Sequence, residues 1–292
     1  MALLDGKVAI ITGAGGGIGR AHALAFAKAG AKVVVNDLGA AADGTGGDRT
    51  PAEEVVDEIR AIGGEAIANA DNVADWQAGE RLIKAAVDAF GDLHVLINNA
   101  GILRDRVIVN MSEAEWDAVV AVHLKGHFVP LHFAAGYWRE RAKAGHDVKA
   151  AVVNTSSTSG LFSNPGQSNY GAAKSGIATL TEIAAKELSR YGVRVNAIAP
   201  AARTRLTLAT PGVGDQIQPP AEPGRFDVWD PANISPIVAW LSTENCPVTG
   251  KVLYVQGGRV GVFAPWHIAE HVEKDDRWTI AELEDAIPKI LG

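Results

Sequence analysis

Short apolar, β-branched runs alternate along this chain with stretches in which apolar residues return every three or four positions. The runs at 7–12, 32–37, 65–70, 94–98, 150–155, 194–198 and 252–255 read as strands. Between them, helices are predicted at 17–29 (Ile18, Ala21, Ala25 and Phe26 spaced for packing on a sheet), 52–62, 75–90, 169–191 and 230–241. Ser112 and Glu115 form a capping box that opens a further long helix reaching about 142. Strand-helix alternation without an internal repeat predicts one α/β unit. It is a doubly wound parallel sheet of about seven strands, with its site at the carboxyl edge.

The first strand runs directly into Gly13-Ala-Gly-Gly-Gly-Ile-Gly19 and then into a helix. Glycines let a backbone approach a pyrophosphate, and a helix N-terminus offers free N–H groups and the positive end of its dipole. The second strand ends at Asp37, eighteen positions beyond Gly19. A carboxylate there accepts hydrogen bonds from ribose hydroxyls and repels a 2′-phosphate, which favours NAD over NADP. Arg49 is the one nearby cation that complicates this choice.

Tyr170 and Lys174 stand four residues apart on a predicted helix, with Ser157 thirteen residues before Tyr170. One helix face therefore carries both side chains, and an ammonium there can lower the phenol pKa. Tyrosine then serves as base toward an alcohol whose oxygen Ser157 holds. Taken alone, a Tyr-x-x-x-Lys pair is a common surface feature; joined to a nucleotide cradle it is not.

These motifs, Thr12-Gly13-x-x-x-Gly17-x-Gly19, Asp71, Asn98-Asn99-Ala100-Gly101, Ser157 and Tyr170-x-x-x-Lys174, resemble those of the short-chain dehydrogenase/reductase family in order and spacing from about residue 5 to 260. The resemblance implies a Rossmann-type fold with Tyr170 as acid/base, Lys174 lowering its pKa and binding the nicotinamide ribose, and Ser157 polarising the substrate oxygen. It implies cofactor contacts at Gly13, Gly17, Ile18, Gly19, Asp37, Asp71, Asn72, Val73, Asn99, Ala100, Gly101, Pro200, Ala201 and Thr204, besides Tyr170 and Lys174. His123 stands where the family usually has an asparagine whose main-chain carbonyl holds a water feeding the lysine; it is a further catalytic candidate, and a carbonyl survives the replacement. Ala199-Pro200-Ala201 replaces the usual Pro-Gly turn. Asn36-Asp37-Leu38-Gly39, the glycine-rich 40–48, Gly101–Arg106 and Val122–Gly126 are similar to the (3R)-hydroxyacyl-CoA dehydrogenase domains of the peroxisomal multifunctional enzyme type 2 group. Actinobacterial steroid and acyl-CoA dehydrogenases share them. That similarity implies NAD-dependent oxidation of a 3-hydroxyacyl thioester, acyl-CoA or steroid-bearing, by a homodimer or homotetramer. A hydroxysteroid dehydrogenase, a 3-oxoacyl reductase and a non-catalytic NAD-binding protein are the alternatives.

The remaining chain refines this picture. At 292 residues with 47% hydrophobic and 21% charged residues, the sequence suits a sheet covered on both faces, and a formal charge of −7 argues against a nucleic-acid surface. One cysteine, Cys246, rules out an intramolecular disulfide. No signal segment or membrane-length apolar run is expected, nor does the Ile-Leu-Gly end match a peroxisomal address, so the expected location is cytoplasmic. Residues 200–229 read as a substrate lid, lined by Leu206, Leu208, Val213, Ile217, Phe226 and Trp229, with Arg203 and Arg205 placed for the phosphates of a coenzyme A thioester. The dehydrogenase domain is expected to span 1–261, with 262–292 a docking extension carrying a second capping box, Thr279–Glu282. His123/His127 and His267/His271 have chelating spacing, but the chemistry needs no metal.

Overall fold

In a computed structural model, which describes residues 2–41, 43–45, 50–208, 214–222 and 224–291, the first apolar run is β1 (Val8–Thr12), buried along its whole length. Arg49 and Val213 lie outside the described residues. The order continues with α1 (Gly17–Lys28), β2 (Lys32–Asn36), α2 (Thr50–Ala61), β3 (Ala66–Asn69), α3 (Trp76–Phe90) and β4 (Val95–Asn98). Then come α4 (Glu113–Val120), a π-helical turn (Ala121–Lys125), α5 (Gly126–Lys143), β5 (Ala150–Thr155), α6 (Thr158–Leu161), α7 (Ser168–Leu188) and β6 (Val193–Pro200). The chain closes with α8 (Arg205–Leu208), α9 (Ser235–Leu241), β7 (Val252–Gln256), β8 (Arg259–Val262) and α10 (Ile280–Ala286). It forms two units, Met1–Val262 and Phe263–Gly292.

The sheet order is β3-β2-β1-β4-β5-β6-β7-β8, parallel except for the β7–β8 pair. The eighth strand adds to the seven expected. Because side chains alternate across a strand, Ala9 and Ile11 join the apolar layer with Phe26, Val55 and Ile59, while Val8 and Ile10 join the opposite layer with Leu82, Leu131 and Trp138. Strand order reverses between β1 and β4, and it is at such a switch point, outside the carboxyl ends, that this architecture binds ligands.

The predicted helix from Ser112 is interrupted. Its capping box forms as expected, but the π-turn inserts one extra residue per turn before α5. The helical run Glu113–Lys143 is also long and apolar enough, by length and composition, to cross a membrane, contrary to the expectation that no such run exists. Its apolar residues Val129, Leu131, Ala134 and Trp138 are buried in the protein core, and Trp138 Nε1 donates to Leu93 O at 2.7 Å. In the second unit, Thr279 caps α10 through the expected box, whereas His267 and His271 lie in non-helical chain and lack the helical spacing required for chelation.

Candidate active site

The glycine loop is shaped by close approach. Gly13 has φ 63°, and a Cβ on it would lie 2.7 Å from Ala100 Cα; one on Gly19 would lie 2.1 Å from Gly13 O. The N-cap of α1 is Gly16, which has no side chain to cap the helix, so first-turn N–H groups are left for an anion. Asn99 and Ala100 are fastened to the same loop: both backbone N–H groups donate to Thr12 Oγ1 (2.9 and 3.1 Å), and Asn99 Nδ2 donates to Thr12 O at 3.0 Å.

Asp37 follows β2 directly. Its carboxylate accepts from Gly15 N at 2.8 Å and from Gly39 N at 2.7 Å, so it braces the glycine loop. Asp71 is held by Arg81 at 2.7 Å and by Asn69 at 2.9 Å. Asn72 is exposed, with Oδ1 accepting from Ala74 N, and Val73 is buried against Gly126. At the other end of the cleft, Thr204 lies over Gly17, 3.5 Å from where its Cβ would stand. Pro200 ends β6, and Ala201 N donates to Val255 O. Uncapped helix start, tight glycine cradle and carboxylate at the end of β2 fit a dinucleotide.

Ser157 follows β5 and caps α6, accepting from Ser159 N at 3.2 Å. That leaves its own proton free to act on the Tyr170 phenol, which lies close enough for the Ser157 hydroxyl to lower its pKa. Tyr170 is half-buried near the start of α7. Burial pushes its pKa up, the Ser157 hydroxyl acts against that, and the Asp105 carboxylate pushes it further up. The net shift is thus upward, not the expected downward one. Lys174 Nζ donates to Thr155 O at 2.6 Å, lies 5.5 Å from the phenol centroid, and is so enclosed that burial lowers its own pKa to about 7, so it is largely uncharged in the pH range where a phenol titrates.

His123 is buried in the π-turn. Its Nε2 faces Ile102 O at 2.8 Å and Ile102 N at 3.1 Å, and its ring meets the Tyr170 ring edge-on at 5.0 Å. Burial and the Lys174 charge hold its pKa well below the ordinary histidine value, so the neutral ring positions Gly101 and Ile102. The sequence marks His127 only as half of a chelating pair. Its buried ring instead lies near the carbonyls of His123 and Asn98 and accepts from the N–H of Thr155, the residue whose carbonyl holds Lys174, at 3.3 Å. Among the described residues, no three metal-ligating side chains converge.

The proposed lid is zipped at its base, where Arg203 N donates to Trp229 O at 2.7 Å. Arg203 is committed to Asp227 and to Ile217 O, which removes it from any phosphate; the expectation overlooked a carboxylate partner 24 residues away. Arg205 is exposed, donating to Ala40 O at 3.3 Å. Of the expected apolar lining, Ile217 is buried, Leu206 and Trp229 are half-buried, and Leu208 and Phe226 are exposed.

The short chain dehydrogenase model matches residues 7–210. The chain belongs to the short-chain dehydrogenase family. This dehydrogenase is an oxidoreductase acting on CH–OH groups, and its fold binds a nicotinamide nucleotide. It is 43% identical to the hydroxyacyl-CoA dehydrogenase ChsB1 of Mycobacterium tuberculosis, over 96% of this chain and 87% of that protein. It is 42% identical to the peroxisomal multifunctional enzyme type 2 of Mus musculus, over 88% of this chain but only 32% of that longer protein. Among solved structures, a short chain dehydrogenase from Mycobacterium avium superposes with a TM-score of 0.87 at 51% identity, covering 99% of this chain and 95% of that one.

Proposed function

We propose that this dehydrogenase oxidises the secondary alcohol of a 3-hydroxyacyl-CoA thioester, including bulky or steroid-bearing acyl groups, with NAD. The observation that carries the chemistry is the convergence of Ser157, at the end of β5, with Tyr170 and Lys174 on α7, in a fold whose β1 ends in the glycine cradle. Asp37 supports NAD: a 2′-phosphate would meet the carboxylate that braces Gly15. Similarity to a hydroxyacyl-CoA dehydrogenase supports the thioester.

A bound nicotinamide ring supplies the hydride acceptor. The glycine loop, Asp37 and Asp71 hold the nucleotide, and Thr204 closes over its nicotinamide end. Ser157 donates a hydrogen bond to the substrate oxygen and orients the carbinol carbon. Tyr170, as phenolate, takes the hydroxyl proton as the C–H bond breaks. Lys174 fixes the nicotinamide ribose and adds positive charge near the phenolate when protonated. The 200–229 segment receives the acyl body through Leu206, Trp229 and Phe226. A surface groove between α5 and α7, where Phe128 and Ile183 are both more than 40% exposed among polar residues such as Arg139 and Glu187, supports a homodimer or homotetramer.

A second reading rests on 35% identity to a 3-oxoacyl-[acyl-carrier-protein] reductase of Thermotoga maritima, over 88% of this chain and 99% of that protein. The chemistry is the reverse of the first. Nicotinamide absorbance decides between them: 3-hydroxyacyl-CoA with NAD is expected to exceed 3-oxoacyl carrier protein with NADPH in kcat/KM, and the opposite ranking overturns the assignment. Within the CoA series, Phe226→Ala and Trp229→Ala should cost long acyl chains more than a four-carbon one, since each methylene packs for about 1–3 kcal/mol.

A further inference from the structure

Asp105 has no part in the roles above, yet it is tied to the helix that carries Tyr170. Its Oδ2 accepts from Gln167 Nε2 at 2.7 Å, while its Oδ1 is enclosed and finds no hydrogen-bond donor among the described residues. Gln167 immediately precedes α7, and its carbonyl accepts from Gly171 N at 2.6 Å. Arg106 N donates to Gly166 O at 2.8 Å, and Asn169 Nδ2 donates to Arg104 O at 3.0 Å and Glu115 O at 3.2 Å. The 104–106 segment is thus stitched to the first turn of α7.

The two flanking arginines are engaged elsewhere. Arg104 donates to Asp43 O and Ala114 O, and Arg106 pairs with Glu115, whose second oxygen accepts from Ser112. Among the described residues the Asp105 carboxylate, half-buried, has no ion-pair partner. A carboxylate so placed is costly unless its charge has a use. Among the described residues, the titratable groups around Tyr170 are the neutral His123 ring, edge-on at 5.0 Å, Lys174 with its Nζ on Thr155 O, and Asp105, held by Gln167 three residues before the tyrosine; the Ser157 hydroxyl lies beside them.

We propose that Asp105 is a positioning residue for the acid/base chemistry: its carboxylate, fixed by Gln167 at the start of the tyrosine helix, sets the pH at which Tyr170 takes a proton. A negative charge near a phenol favours the protonated form, and a carboxyl ionises long before a phenol, so the charge is present throughout the phenol titration. Asp105 thereby holds Tyr170 as a proton donor to higher pH. It favours carbonyl reduction at neutral pH and restrains alcohol oxidation, which needs the phenolate.

The inference rests on Tyr170 as the acid/base, and the pH profile of kcat for alcohol oxidation tests it. Asp105→Asn keeps an acceptor for the Gln167 amide and removes the charge; Asp105→Ser removes the charge by a second route. Both are expected to move the acid limb about half to one pH unit lower, giving about three- to tenfold faster oxidation below the limb, with KM for the nucleotide unchanged. Asp105→Glu keeps the charge and should follow the wild type. An unmoved or alkaline-shifted limb in both neutral variants, or equal loss of kcat in all three without displacement, would overturn the role and leave a structural tie. Substantial activity in Tyr170→Phe would instead remove the premise, so the two failures are distinguishable.

Discussion

Lys174 and Tyr170 share a face of α7 without sharing a hydrogen bond: the ammonium lies 5.5 Å from the phenol centroid and donates to Thr155 O at 2.6 Å. Orientation of the lysine is therefore delegated to the Thr155 carbonyl at the end of β5, and the N–H of the same residue donates to His127. His127→Phe fills the space but removes the acceptor for Thr155 N and the contact to His123 O. It should raise KM for the nucleotide and lower kcat by about tenfold, the loss of about one hydrogen bond. Unchanged kinetics in a folded His127→Phe protein would show that Lys174 is positioned without it.

Asp37 accepts from two backbone N–H groups, Gly15 and Gly39, at the end of β2, where the proposed function sets it on the ribose. Asp37→Ala removes both the ribose acceptor and the repulsion of a 2′-phosphate. NAD kcat/KM should fall by about ten- to a hundredfold, with NADP much less affected, so that the preference narrows. A wild-type enzyme that turns over NADP as efficiently as NAD would contradict this role.

The strand-helix order, the nucleotide cradle and the acid/base pair were readable from residues because each depends on local spacing. Other features depend on residues remote in sequence. The π-turn under His123 adds one residue to a turn and leaves no periodicity of its own. Arg203 looked free because Asp227 lies across the loop. Asp105 lies in a run that carries only a subfamily similarity, and His127 shows only a chelating spacing; their contacts arise where the ends of β4 and β5 meet α7 and the π-turn. One missed element did leave a trace. β8 follows β7 after Gly257-Gly258, a two-residue glycine turn that signals a hairpin, but its exposed Arg-Val-Gly-Val stretch lacks the apolar character of the inner strands.

Three buried imidazoles make stability pH-dependent. Burial lowers His22 to about 3 and holds His123 and His127 well below the ordinary value. The unfolded chain takes up protons on these rings as pH falls through about 6.5, and the folded chain does not. Stability should therefore decrease as pH drops below about 6.5, by up to about 1.4 kcal/mol per pH unit for each ring. Urea midpoints of the cofactor-free protein between about pH 7.5 and 5.5 should show this decline, with a shallower slope in His22→Asn. A flat midpoint over that range would contradict the buried, neutral state.

The central claim is that the Tyr170 phenol exchanges the proton while the nucleotide is held elsewhere. Its most direct test compares wild type and Tyr170→Phe in two assays, NADH formation from a 3-hydroxyacyl-CoA and NADH binding by fluorescence. Tyr170→Phe is expected to lose at least about a hundredfold in kcat, some 2.7 kcal/mol of transition-state stabilisation, with Kd for NADH within about threefold of wild type. A variant retaining activity within about tenfold, or one inactive because it no longer binds NADH, would contradict the claim.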